Sequence, residues 1–221
     1  MIITRQKDFN TILNLVKDKK KIFLVGCGEC ATTCKTGGED QIQEIKKKLE
    51  DSNKTVTGWV VPDAPCVSAQ IKMAMAKNRK VLSEANAILV FGCGSGTQSV
   101  KENDRLNLDV FSGNDTICAA TVDSLGNFKE VCSNCGDCIL DLTEGICPIT
   151  RCAKGLLNGP CGGQKDGKCE VDRTKDCAWI LIYKLKTEKK RTSDLKNIIK
   201  TRDYKKSLRP HYITENKCDT A

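Results

Sequence analysis

Residues 21–38 read KIFLVGCGECATTCKTGG. The apolar run Ile22-Phe23-Leu24-Val25 is continuous, not alternating, and glycine stops it. That pattern predicts a strand covered on both faces, as in a parallel sheet. Cys27, Cys30 and Cys34 follow at once, which places them at the strand's carboxyl end, where open parallel sheets gather their ligands. The pattern recurs along the chain. Val56–Val61 predicts a second strand, stopped by Pro62 and Pro65 and followed by Cys66. Ala87–Phe91 predicts a third, running into Gly92-Cys93-Gly94-Ser95-Gly96 and a helix from Thr97. Helical spacing of apolar residues predicts helices over Ile3–Val16, Asp40–Glu50 and Ser68–Leu82, the last with Ser68 as N-cap. Strand–helix alternation of this kind predicts an α/β fold: a small parallel Rossmann- or flavodoxin-like sheet over residues 1–125.

Three strand ends thus deliver Cys27, Cys30, Cys34, Cys66 and Cys93 to one edge. Four thiolates are what a [4Fe–4S] cluster needs, so five cysteines compete for four places. Cys27, Cys30 and Cys34 are the favoured three, with Cys93 or Cys66 completing the set. A structural zinc site and unliganded core thiols are the plainer alternatives. The glycines after the third strand are spaced G-x-G-x-G, not G-x-G-x-x-G, and no acidic residue stands at the ribose position. They suit backbone closing around a cluster better than a dinucleotide.

Residues 126–182 change character. Cys132, Cys135, Cys138, Cys147, Cys152, Cys161, Cys169 and Cys177 lie among Gly, Pro and Asp with little periodicity. Such a segment buries too little apolar surface to fold alone, which predicts a Cys-rich, metal-organised domain. Cys132-x2-Cys135-x2-Cys138 has the spacing of the first three ligands of a ferredoxin site, and it favours iron over zinc. The match is partial, because eight residues separate Cys138 from Cys147-Pro148, where ferredoxins have three. Eight thiolates make two four-ligand sites, with sequential and crossed partitions equally open, and with one cluster plus one zinc as an alternative to two clusters. Residues 183–221 read as a basic helical tail. With Trp179, Ile182 and Tyr183 before it, the tail offers a docking face for an acidic partner, or simply a solvated face.

Composition narrows the function. Fifteen cysteines in 221 residues is far above ordinary usage. Their odd number and tight spacing argue for metal over disulfides, in a chain without a visible secretory signal and expected to be cytoplasmic. No apolar run is long enough to span a bilayer. The formal charge of +8 does not by itself imply nucleic acid. Each tetrathiolate site carries about −2, so two or three would leave about +4 or +2. Aromatic residues for base stacking are scarce. The one histidine, His211, lies in the tail, which removes histidine–metal triads and leaves no histidine general base; it reads as a surface residue.

The stretch Cys132-x2-Cys135-Gly-Asp-Cys138 through Gly145-Ile-Cys147-Pro-Ile-Thr-Arg-Cys152 to Asn-Gly159-Pro160-Cys161-Gly162-Gly163, ending Gly-Lys-Cys169-Glu-Val, resembles the carboxyl-terminal domain of the methylenetetrahydrofolate reductase family. Val25-Gly26-Cys27-Gly-x-Cys30-Ala-Thr-x-Cys34-x-x-Gly37-Gly38 is similar to that family's amino-terminal cluster loop. The resemblance spans roughly residues 20–185. It implies a small, flavin-free iron–sulfur subunit, not catalytic alone. Such a subunit partners a flavin-bearing methylenetetrahydrofolate reductase in the methyl branch of the acetyl-CoA pathway, in one-carbon metabolism. It implies two or three metal sites, [4Fe–4S] clusters with zinc as an alternative at one, and a ferredoxin or larger complex as electron donor. The chain shows no barrel that would bind folate and flavin. A zinc-bound structural subunit, or an accessory to a corrinoid-dependent methyl-transfer system, are the competing readings.

Overall fold

The computed structural model describes residues 1–214 and 217–219, with side chains through His211. Cys218, which the sequence reading leaves unassigned, has its side chain outside the described residues. The chain divides into two compact units, Met1–Cys118 and Ala119–Ala221.

In the first unit, the elements run β1 (Ile2–Gln6), α1 (Phe9–Leu15), β2 (Lys21–Val25), α2 (Cys30–Thr33), α3 (Glu39–Asp51), β3 (Thr55–Val60), α4 (Ser68–Lys77), α5 (Arg79–Leu82), β4 (Ala87–Val90), α6 (Gly94–Asn103), β5 (Asp109–Ser112) and the start of β6 (Asn114–Val122). Four parallel strands stand in the order β3-β2-β4-β5. Read from β2, this is the flavodoxin-like order: the second strand lies on one side of the first, the third and fourth on the other. The continuous apolar strands are explained by their two faces. Ile22 and Leu24 of β2, with Leu89 and Phe91, pack with Ile12, Val16, Ile42, Ile45 and Leu49. Phe23 and Val25, with Ile88 and Val90, pack with Ile71, Met75, Leu82 and Val100. Helices therefore cover both faces, and neither can be polar.

Two local expectations change. A single helix over Ile3–Val16 gives way to β1 and α1. The Asp8 carboxylate accepts the Thr11 amide at 3.0 Å and caps α1, so the helix begins after it. The β-branched Ile2-Ile3-Thr4 run goes into β1, where the Thr4 hydroxyl meets that of Thr36 at 2.6 Å. The helix from Ser68 is interrupted at Asn78, whose side-chain amide donates to the Ala74 carbonyl at 2.9 Å. Val67, not Ser68, is its N-cap, and the Ser68 hydroxyl pairs with Asn103.

The second unit holds the end of β6, β7 (Phe128–Cys132), α7 (Pro148–Arg151), α8 (Ala178–Glu188), β8 (Tyr212–Thr214) and β9 (Lys217–Asp219). β6 and β7 form an antiparallel hairpin with Val122 opposite Phe128. Most of the unit is loop. The tail is helical only to Glu188; beyond it come two 3-10 turns, Thr192–Lys196 and Tyr204–Ser207, and the antiparallel β8–β9 pair. Trp179 and Ile182, expected on a docking face, are 4% and 0% exposed, and the Trp179 indole donates to the Leu156 carbonyl at 2.8 Å. The apolar side of α8 serves this unit's own interior, and its 51%-exposed residue is Tyr183.

Candidate metal centres

The loops after β2, β3 and β4 are stitched together at the carboxyl edge of the sheet. The Gly28 amide donates to the Pro62 carbonyl at 2.8 Å, and the Glu29 amide to that of Asp63 at 3.0 Å. A Cβ on Gly96 would lie 3.2 Å from the Pro65 ring, and one on Gly92 would lie 3.9 Å from the Cys27 Cβ. Cys27 follows β2 and Cys93 follows β4, so the two flank the point where strand order reverses. Burial pushes the Cys27 thiol up; amides of Ala31 and Glu29 oppose it, and Cys30 and Cys93 add to it. Burial also raises Cys66, and Cys93 and Cys30 raise it further. Cys30 and Cys93 thus act on both Cys27 and Cys66. Cys34 turns elsewhere, its Sγ directed at the Ile2 carbonyl of β1 at 3.9 Å. Thiols gathered at one sheet edge are a donor set suited to a cation, whose charge favours the thiolate.

In the second unit, Cys152, Cys161, Cys169 and Cys177 line one cavity of about 20 Å³. Amides of Asp172 and Val171 lower the Cys169 thiol against its burial. Lys154, ion-paired with Glu170, stands where Cys161 and Cys169 hold its charge. Cys177 is the N-cap of α8.

The remaining four lie together along the chain. Cys132 ends β7, and its sulfur accepts the Asn134 amide at 3.4 Å. Asn134 and Gly136, at φ 53° and 73°, turn the loop through Cys135 toward Cys138. Cys147 is the N-cap of α7, and the Thr150 hydroxyl of that helix donates to the Val131 carbonyl at 3.1 Å. That bond ties the Cys147 turn to the strand end that carries Cys132. Burial opposes ionisation of Cys135, but the Asp137 amide, the Ser133 hydroxyl and the Arg202 guanidinium outweigh it and lower the thiol.

The fourteen cysteines with described side chains are free thiols. As placed, no three His, Cys, Asp or Glu side chains among the described residues stand close enough to hold a metal ion. The groupings rest on shared loops, a shared cavity and mutual electrostatics. The exposed His211 belongs to none of them.

Sequence reasoning missed the tail's part in this unit. Arg202 donates to the Cys135 carbonyl at 3.3 Å, Lys206 pairs with Asp137 at 2.8 Å, and Arg209 reaches the Asn134 carbonyl at 3.5 Å. The tail has no motif and no periodicity; its positive charge was the available signal. Upstream, Leu195, Ile198 and Ile199 line an apolar cavity of about 1000 Å³ with Trp179 and Tyr183.

No helix among the described residues is long and apolar enough to cross a membrane. No curated protein and no solved structure matches the chain. A family model described as "Methylene-tetrahydrofolate reductase C terminal" matches residues 111–205, which is less than half of the chain and includes the eight cysteines from Cys132 to Cys177. Residues 111–205 are therefore similar to the C-terminal domain of the methylenetetrahydrofolate reductase family.

Proposed function

We propose that this chain is an iron–sulfur electron-transfer subunit that delivers electrons to the flavin of a partner methylenetetrahydrofolate reductase and is not catalytic alone. The family match supports the link to that enzyme. The observation that carries the redox reading is the convergence of Cys27, Cys30, Cys66 and Cys93 from three strand-end loops. Four thiolates at a sheet's carboxyl edge are the donor set of a four-iron cluster, which when bound supplies one-electron transfer. In this reading Cys132, Cys135, Cys138 and Cys147 hold a second cluster in sequential partition. The protein's own residues hold and orient the group. The amide of Asn134 donates to the Cys132 sulfur at 3.4 Å. Such N–H donors fix the ligands and tune their basicity.

A non-redox zinc reading has its own support at the third group. A cavity of about 20 Å³ between Cys152, Cys161, Cys169 and Cys177 has room for one ion, not a cube of iron and sulfide. We assign zinc there. Anaerobic purification with metal analysis and electron paramagnetic resonance tests the whole assignment. The expected result is a brown protein bleached by dithionite, with about eight irons and about one zinc per chain. A colourless preparation containing zinc alone would sink the electron-transfer role and leave a structural subunit. The partner is tested by copurification: a flavoprotein reductase is expected, and a corrinoid protein in its place would overturn that part.

A further inference from the structure

The basic tail folds onto the loop Cys132–Cys138 through three cations, Arg202, Lys206 and Arg209. The Arg202 Nη2 donates to the Cys135 carbonyl at 3.3 Å, the Lys206 ammonium pairs with Asp137 at 2.8 Å, and Arg209 Nη2 reaches the Asn134 carbonyl at 3.5 Å. The backbone approaches as closely as the side chains. Gly136 sits at φ 73°, and a Cβ there would lie 2.3 Å from the Lys206 carbonyl. Only glycine allows both the turn and the contact. Arg202 is the central member. Its Nη2 donates to the backbone of the ligand loop at Cys135, while its Nε–H is buried without a partner. A buried guanidinium donor left unpaired is costly and calls for an acceptor at that place. The sulfur side of the loop supplies one when the thiols are thiolates around a metal, because anionic sulfur accepts N–H donors that a neutral thiol accepts weakly.

We propose that residues 202–209 are a clasp that retains the metal centre of Cys132, Cys135, Cys138 and Cys147, with Arg202 as its positioning residue, donating to the sulfur of the loaded site. This rests on the metal reading of those four cysteines. It gives the tail a role within its own unit, holding the ligand loop closed and placing positive charge beside a centre of about −2. Loss of such an outer partner typically weakens metal retention about 10–100-fold.

The test uses the full chain, purified anaerobically with its metals, and follows alkylation of each cysteine by iodoacetamide with peptide mass spectrometry. In the wild type, Cys132, Cys135, Cys138 and Cys147 should be protected relative to Cys34. In Arg202→Met the same four should be alkylated about 10–100-fold faster, with Cys27, Cys30, Cys66, Cys93, Cys152, Cys161, Cys169 and Cys177 unchanged. That selectivity also shows that the variant is folded. Arg202→Lys keeps the charge without the planar donor pair, and it should restore only part of the protection. Unchanged protection in Arg202→Met, or full protection in Arg202→Lys, would overturn the clasp while leaving the metal assignment standing. Wild-type Cys132–Cys147 reacting as fast as Cys34 would instead overturn the metal reading, and the clasp with it.

Discussion

At the scale of single residues, the fold surrounds Cys34 and Cys66 differently. Cys34 has the better sequence credentials, three residues after Cys30 in one loop. Yet α2 is a single turn, Cys30–Thr33, and the chain leaving it directs the Cys34 sulfur to the Ile2 carbonyl of β1. Cys66 has no motif of its own. Its loop, carrying Pro62, Asp63 and Pro65, is hydrogen-bonded to the Gly28–Glu29 turn, which supports its place in the proposed set. Cys66→Ser should therefore lower iron by about four atoms per chain, the content of one cluster, while Cys34→Ser should leave iron unchanged. Iron and sulfide analysis of anaerobic preparations distinguishes them, and the reverse pattern would restore Cys34 as the ligand. Spacing along the chain shows which thiols are near one another within a loop. It is silent on which loops meet.

Elements show the same division. The strands were readable because a strand covered on both faces must be apolar throughout, and β2 and β4 obey that rule residue by residue. The helices that cover them were readable where apolar spacing was clean, as in α3 with Ile42, Ile45 and Leu49 buried. The amino-terminal segment was not, because its apolar residues fit a helix while Asp8 starts the real one. The end of α1 depends on a distant residue. The Lys54 ammonium donates to the carbonyls of Val16 and Lys17 at 2.8 Å each and of Lys19 at 2.9 Å. The Val16 carbonyl also accepts the Lys19 amide at 3.0 Å, and the ammonium adds a donor to each of these carbonyls just past the helix end. Lys54→Met should destabilise the first unit by about 2 kcal/mol, read as a lowered denaturation midpoint. An unchanged midpoint would mean that water replaces the ammonium without cost.

At the scale of the molecule, two kinds of stabilisation meet in one chain. The first unit has an ordinary two-faced core. The second is mostly loop, and its charged anchor is Glu144 with Lys186, Lys189 and Arg191. Lys186 is 2% exposed, so its charge is tolerable because it lies between Glu144 and Asp194 at 3.4 Å each. The Lys189 hydrogen bond, then those of Lys186 and the charge of Arg191, hold the Glu144 carboxyl below its usual 4.5 against burial. A carboxyl lowered in the folded state contributes stability above its unfolded value, and that contribution is lost as pH falls through the folded one. The melting temperature of Glu144→Gln should therefore lie below that of the wild type at neutral pH, and the gap should close below about pH 4. A gap independent of pH would show that the carboxylate's charge contributes nothing there.

The sequence by itself determined the α/β class, the strands that end in thiols, and the likeness of residues 111–205 to a known family. Those features are written locally, in apolar runs, glycine stops and cysteine spacings. Tertiary structure decided that α8 turns Trp179 and Ile182 inward, and that Arg202, Lys206 and Arg209 close over the loop at Cys135. Each of these is a contact between segments far apart in the chain. Such contacts are selected by packing and by the pairing of buried donors and acceptors, and neither leaves a local pattern to read.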